Sequence, residues 1–250
     1  MNRALPLLAM LFTTAATAST PDINALKGKG GAAVLEAVEK RTYDHPTQKW
    51  TFKMTIADKG GSSRHVKFSV WQKREKRLVR FLEPGDVKGM SVLSTGSGDM
   101  YVYSPQTDNV RRVATSARRQ TLLGGDMTYD DMASIALTPV YDVGLGEDTA
   151  THLWLELTAK SGADVAWPKL RIRIDKKAAL MDVVEYWDGK KVREQSRSGF
   201  SDSWGAPVHR LVTMKDVATG HATTLEMLDQ KIGEPIADDV FSKRSLVRGN

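Results

Sequence analysis

The 250-residue sequence contains no cysteine. That removes disulfides, thiolate nucleophiles and cysteine-ligated zinc together. No apolar run approaches the roughly 20 residues that a membrane-spanning helix needs. The five histidines, His45, His65, His152, His209 and His221, are scattered. None sits in an H-x-x-x-H or H-E-x-x-H spacing, which would place two imidazoles on one helix face for a metal. A G-x-S-x-G nucleophile elbow is missing. Gly28-Lys29-Gly30-Gly31 lacks the strand and spacing of a phosphate loop, and Gly96-Ser97-Gly98 reads as a turn. Asp130 and Asp131 are adjacent, so on a helix they point in different directions. Helix capping near Asp126 accounts for local carboxylates equally well, and no perturbing partner accompanies the pair. These absences predict a protein that binds and does not catalyse, with no cofactor and no metal.

What is present begins with a lead segment. Met1-Asn2-Arg3 is charged, Ala4 to Phe12 is apolar but for Pro6, and Ala16-Thr17-Ala18 precedes Ser19. Charge, short apolar run and A-x-A site in that order make a secretory signal over residues 1–18. No cysteine follows that could be acylated, so a soluble periplasmic protein is expected, with residues 19–250 as one domain. Lys and Arg outnumber Asp and Glu by 36 to 30, a net +6; losing Arg3 leaves +5. In an exported protein this balance fits anionic lipid surfaces or plain solubility, not nucleic acid.

Pro21 to Gly31 reads as a polar, glycine-rich leader. Ala32 to Thr42 has helical spacing, with Val34, Leu35 and Val38 as its apolar stripe and Glu36, Glu39, Lys40 and Arg41 as its wet face. The period then becomes two. Trp50, Phe52, Met54 and Ile56 alternate with polar residues, Asp58-Lys59-Gly60-Gly61 turns, and Val66, Phe68 and Val70 alternate again. Further strands are expected at Leu78 to Leu82, Met90 to Leu93, Met100 to Tyr103 and Val110 to Val113. Arg118 to Gly125 is loop-like, and Asp126 to Leu137 is expected to hold a helix that Pro139 ends. Leu153, Leu155 and Leu157 share a face, as do Leu170, Ile172 and Ile174 opposite Arg171 and Arg173. Met181 to Trp187, Lys191 to Phe200, Val208 to Val217 and Thr223 to Asp229 follow as strands, and Asp238 to Ser242 as a last short helix. About ten strands at this spacing predict a meander. The simplest architecture is mainly β with a few helices, a single antiparallel sheet with helices packed on one side. So long a sheet must curl and enclose a cavity unless helices plug it.

Two compositional features bear on binding. Eight of the ten methionines follow residue 18; methionine adapts to flexible apolar ligands and is equally an ordinary core filler. Arg111, Arg112, Arg118 and Arg119 lie within nine residues without an acid among them. Guanidinium groups suit anionic head groups and acidic partners, and a solvated loop is the alternative.

Three segments in order resemble a known family. Phe81-Leu82-Glu83-Pro84-Gly85-Asp86-Val87-Lys88-Gly89 is similar to its strand–turn–strand signature. Tyr101-Val102-Tyr103-Ser104-Pro105 and Val110-Arg111-Arg112-Val113 follow at the family's interval. Leu123-Gly124-Gly125-Asp126-Met127-Thr128-Tyr129-Asp130-Asp131-Met132 is similar to its central G-S-D-F-S-Y-E-D segment. The family is the outer-membrane lipoprotein-sorting-like group, relatives of the periplasmic lipoprotein carrier LolA. Met100 and Met127 depart from it, standing where aromatic residues are common. The resemblance implies an unclosed half β-barrel around a hydrophobic cavity, a helical lid, and a monomeric carrier for lipid or for the acyl chains of lipoproteins. It also implies an RND-type inner-membrane transporter as a partner, and the same fold serves in envelope-stress sensors. Combined with period two, it places Trp50, Phe52, Met54, Phe68, Met100, Leu155 and Ile172 on the concave wall and Met127 and Met132 on the lid. A slip of one residue would turn Trp71 inward in place of Phe68 and Val70.

The signal predicts cleavage after Ala18. N-terminal sequencing of protein from its native host is expected to begin at Ser19; an intact Met1 would contradict it.

Overall fold

The computed structural model describes residues 20–57, 61–96, 98–133 and 136–248. The expected signal segment and positions 58–60 of the expected turn lie outside them. Strand β1 (Gln48–Ala57) puts Trp50, Met54 and Ile56 on its buried face, and β2 (Ser63–Lys73) answers with Val66, Phe68 and Val70. The register is Trp50 opposite Val70, Phe52 opposite Phe68 and Met54 opposite Val66. Phe52 stacks on Phe68 at 5.3 Å and Phe68 meets Phe81 at 5.5 Å. Trp71 packs with a separate cluster, so the register is the expected one.

The meander continues through β3 (Lys76–Glu83), β4 (Ser91–Ser94), β5 (Met100–Ser104) and β6 (Asn109–Arg112). A second meander holds β7 (Tyr141–Asp148), β8 (His152–Ala159), β9 (Lys169–Asp175), β10 (Leu180–Asp188), β11 (Lys190–Ser201), β12 (Val208–Asp216) and β13 (Ala222–Ile232). β13 pairs with β1 and fuses the two into one 13-stranded antiparallel sheet. Strands β6 and β7 are its two ends, so the sheet is not closed. Strand β7 was not legible in the sequence: its acids and two glycines dilute the alternation of Tyr141, Val143 and Leu145.

One core lies on the inner face, where Met54, Phe68, Phe81, Leu155, Ile172 and Met214 meet Val34, Leu35 and Val38. A smaller core lies on the opposite face of β3 and β4, because Leu78 and Leu93 alternate with the inward Val79 and Val92. Phe241 of a 3-10 turn (Asp238–Phe241) and Leu246 cover it. Helices therefore pack on both faces, not on one.

The helices correct the sequence expectation elsewhere too. Within the supposed leader, Ile23–Lys27 forms a short helix, α1, capped by Asp22, whose carboxylate accepts the N–H groups of Asn24 and Ala25. Ile23 is only 1% exposed and anchors that segment. Helix α2 (Gly31–Tyr43) carries the expected apolar stripe, but Glu39 is not on a wet face. It is 6% exposed and accepts hydrogen bonds from the Leu137 N–H and the Thr138 hydroxyl. Burial raises its pKa. The expected helix over Asp126–Leu137 is described as helical only at Tyr129–Ala133, α3. The last helix, α4, is Lys243–Arg248. Among the described residues no helix is long and apolar enough to cross a membrane.

Helix α2 starts hard against the edge strand. A Cβ on Gly31 would stand 2.8 Å from the Val143 carbonyl oxygen and 2.9 Å from that of Gly144. Gly31→Ala is therefore expected to destabilise the fold by about 1–3 kcal/mol through overpacking. Urea unfolding checks it; an unchanged midpoint would contradict the close approach.

Candidate functional site

The chain between β6 and β7 joins the two open ends of the sheet, and it does so across the inner face. Leu122, Met127, Tyr129 and Met132 of this strap are all buried in the main core. A tight turn at Leu123 and Gly124, both with positive φ, folds it back, and Thr121 bridges to Thr128. Gly125 then meets the sheet: a Cβ there would lie 2.9 Å from the Thr223 hydroxyl and 3.1 Å from Ile56.

Polar contacts fasten the strap at several points. Asp126 accepts from the Thr223 hydroxyl at 2.8 Å and lies 2.7 Å from Nδ1 of His221. The Asp131 carboxylate accepts the Thr128 N–H and hydroxyl, each at 2.7 Å. It also pairs with the Arg193 guanidinium at 2.7 Å, both side chains being under a tenth exposed. Arg193 in turn lies over Tyr186 at 4.9 Å and Trp167 at 5.3 Å. Burial and the nearby Asp131 carboxylate raise the Tyr186 phenol well above its usual range.

Under the strap lie two adjoining cavities of about 160 Å³ and 110 Å³. The larger is walled by Trp50, Phe52, Phe68, Val70, Leu225 and Met227 of the sheet and by Met127 and Met132 of the strap. The smaller is more polar, with Glu39, Asp130, Tyr141, Trp167 and Tyr186. Tyr43, Arg77, Asp131, Met181, Gln195 and Arg197 belong to both. Five expected cavity residues, Trp50, Phe52, Phe68, Met127 and Met132, are thus brought together. The other four are placed elsewhere: Met54, Met100, Leu155 and Ile172 are buried in the packed core. An inner face wide enough to stand open is not what is found. The strap fills it, because the side chains of Leu122, Met127 and Met132 cover apolar surface that water would otherwise meet.

The four clustered arginines each make contacts within the chain. Arg111 donates to the Tyr129 hydroxyl at 3.0 Å and Arg112 pairs with Asp99 at 2.6 Å. Arg118 donates to the backbone carbonyls of Gly98 and Asp164. Arg119 pairs with Asp188 at 2.8 Å and lies 4.6 Å over Trp167. Arg111, Arg118 and Arg119 brace the strap against β6, the β4–β5 turn, the β8–β9 connection and the β10–β11 turn, and Arg112 ties β6 to the β4–β5 turn.

Sequence reasoning missed the polar wall. Arg77 shares the parity of Val79 and Phe81, which could have marked it as inward. Arg193, Gln195 and Arg197 could not be oriented, because β11 has no apolar face to set against a polar one. His209 also lines the larger cavity, where burial and then the Arg197 charge lower its pKa.

A family model described only as an uncharacterized protein matches residues 73–248. No curated protein matches the sequence. Among solved structures, a protein domain named for outer membrane lipoprotein sorting from Vibrio parahaemolyticus superposes with a TM-score of 0.78 at 20% identity, covering 88% of this chain and 99% of that one. A DUF1329 family protein from Desulfovibrio piger gives 0.78 at 20% identity, covering 91% and 100%. A LolA superfamily protein from Nitrosomonas europaea gives 0.73 at 20% identity, covering 86% and 99%. The chain shares its fold with these three proteins.

The Arg193–Asp131 pair pins α3. Truncating one member strands the other as a buried charge, so Arg193→Ala is expected to cost about 3–5 kcal/mol. Chemical unfolding measures it; a loss under 1 kcal/mol would show that the pair is not buried in solution.

Proposed function

The chain belongs to the family whose model spans residues 73–248, LolA-like in fold, and from that premise we propose that it is a periplasmic carrier of lipid or lipoprotein acyl chains. It works by binding, without a catalytic step of its own. The observation that carries this reading is the larger cavity, an apolar pocket closed on one side by the strap methionines Met127 and Met132.

Magnitudes favour an exchange between strap and ligand. About 160 Å³ compares with cavities that admit one benzene ring, whereas pockets for larger ligands run to about 300–1,000 Å³. A long acyl chain therefore enters only as the strap leaves. Exposing Leu122, Met127 and Met132 costs about 1.5–3 kcal/mol each. An acyl chain returns about 0.8 kcal/mol per buried methylene, so about six to eleven methylenes offset the loss. Opening hydrates Arg193 and Asp131 together, which avoids the penalty of leaving one charge buried alone. Near-balance is what a carrier needs, since it must also release its cargo. In this proposal the arginine cluster steadies the strap, and an RND-type transporter of the inner membrane is the partner that hands over or accepts the cargo.

Mass spectrometry of lipid extracted from protein purified from its native periplasm tests the proposal. Wild type is expected to carry an acylated lipid. Phe52→Asp, altering a half-buried wall of the cavity, is expected to lose it while keeping a cooperative unfolding transition. Absence of lipid from the wild type, or equal lipid in both, would contradict the reading.

A further inference from the structure

With no cysteine in the sequence, methionine carries all of its sulfur, and the methionines are unevenly placed. Of the eight that follow residue 18, four line the larger cavity. Met127 and Met132 come from the strap, Met181 from β10 and Met227 from β13. These four are 3% to 6% exposed. Met54 and Met214, at 0%, and Met100, at 4%, are equally buried but sit in the packed core and line neither cavity. Met100 and Met127 therefore differ little in exposure to the outer surface and differ in whether open volume lies beside them.

That volume is within reach of small solutes. Half-buried Thr42, Tyr43 and His209 stand on its border, and about 160 Å³ admits a benzene-sized guest. Hydrogen peroxide and hypochlorous acid are smaller than that. A thioether reacts with either without first losing a proton, unlike a thiol. The sulfur gives an electron pair to the oxidant's oxygen, so an S–O bond forms as the O–O or O–Cl bond breaks. Water leaves in the first case, chloride and a proton in the second. The product is a polar sulfoxide that a reductase can return to the thioether. Its new oxygen meets apolar neighbours here. Met227 is opposite Phe52 of β1. Helix α3, which carries Met132, lies against β3 and β4, whose inward Val79, Phe81 and Val92 are apolar. A dipole held on such a surface away from water is unfavourable. Met181 and Met227 are fixed by the sheet ladder, whereas Met127 and Met132 reach water as soon as the strap lifts.

We infer that Met127 and Met132 are oxidation sites that release the strap: a peroxide or hypochlorous acid molecule entering the larger cavity converts them to sulfoxides, and the strap lifts from the inner face. The inference goes beyond cargo binding, because it holds whatever the cavity carries. Enzymatic reduction of the sulfoxides closes the strap again, so the modification is reversible.

Peptide-mapping mass spectrometry after graded doses of hypochlorous acid, paired with amide hydrogen exchange on the same samples, tests it without any lipid. The half-buried Met90 is expected to oxidise first, with strap exchange unchanged. Met127 and Met132 are expected next, while Met54, Met100 and Met214 are still reduced. Once the strap methionines are oxidised, exchange across residues 118–133 is expected to quicken about ten-fold, with the cooperative unfolding transition kept. Treatment with methionine sulfoxide reductases is expected to restore slow exchange. The double variant Met127→Leu, Met132→Leu, which nearly conserves volume, is expected to keep slow strap exchange through the same doses. Oxidation of Met100 as early as Met127 and Met132 would overturn the inference, since the cavity would then give no special access. Unchanged strap exchange after both are oxidised, or equal quickening in the leucine variant, would overturn it as well. None of these outcomes bears on whether the wild type carries lipid, so the carrier reading stands or falls separately.

Discussion

An antiparallel sheet that curls without closing exposes one apolar face and two unpaired edges, and it is stable only if something covers both. Here the cover for the inner face comes from the chain that links β6 to β7. That connection is not free to wander. Gly125 lets it sit against β1 and β13, Asp126 ties it to Thr223 and His221, and Asp131 ties it to Arg193. Helices α1 and α2 work beside it, with Gly31 lying on the backbone of β7 and Glu39 holding residues 137 and 138.

The same constraint makes function available. A core built from contiguous sheet strands would have to unfold to admit a ligand. A core completed by one strap needs only to release that strap, and its fastenings are mostly polar groups that water satisfies in their place once the strap has left. The apolar contribution of the strap is concentrated in Leu122, Met127, Tyr129 and Met132. Two of these are methionines, the side chain best able to repack around another apolar surface. The polar wall beneath gives the cleft two ends of different chemistry.

Much of the fold was legible because period two survives in most strands. Trp50 to Ile56, Val66 to Val70 and Leu170 to Ile174 announce both their strands and their inward faces, and Phe68 and Trp71 fall on the sides that parity assigns. Legibility failed where the local pattern was weak or where tertiary contacts overrode it. Gly144 and Gly146 diluted β7. Glu39 looked solvent-facing by its charge, yet its partners at residues 137 and 138 are nearly a hundred positions away. The cleft was half legible: apolar residues of β1 and β2 and the strap methionines were readable, while Leu155 and Ile172, equally apolar and equally inward, are packed elsewhere in the core. Alternation tells which face a side chain is on; it does not tell which part of that face the strap leaves uncovered. Arg197 stayed hidden because a strand polar on both faces has no signal of orientation.

The central claim is that the strap and an acyl chain compete for one apolar face. Amide hydrogen exchange with and without saturating dodecanoate tests it most directly. The account predicts faster exchange across residues 118–133 when the ligand is bound, together with slower exchange in β1, β2 and β13. Uniform slowing of strap and sheet together, or no change in the strap, would contradict it.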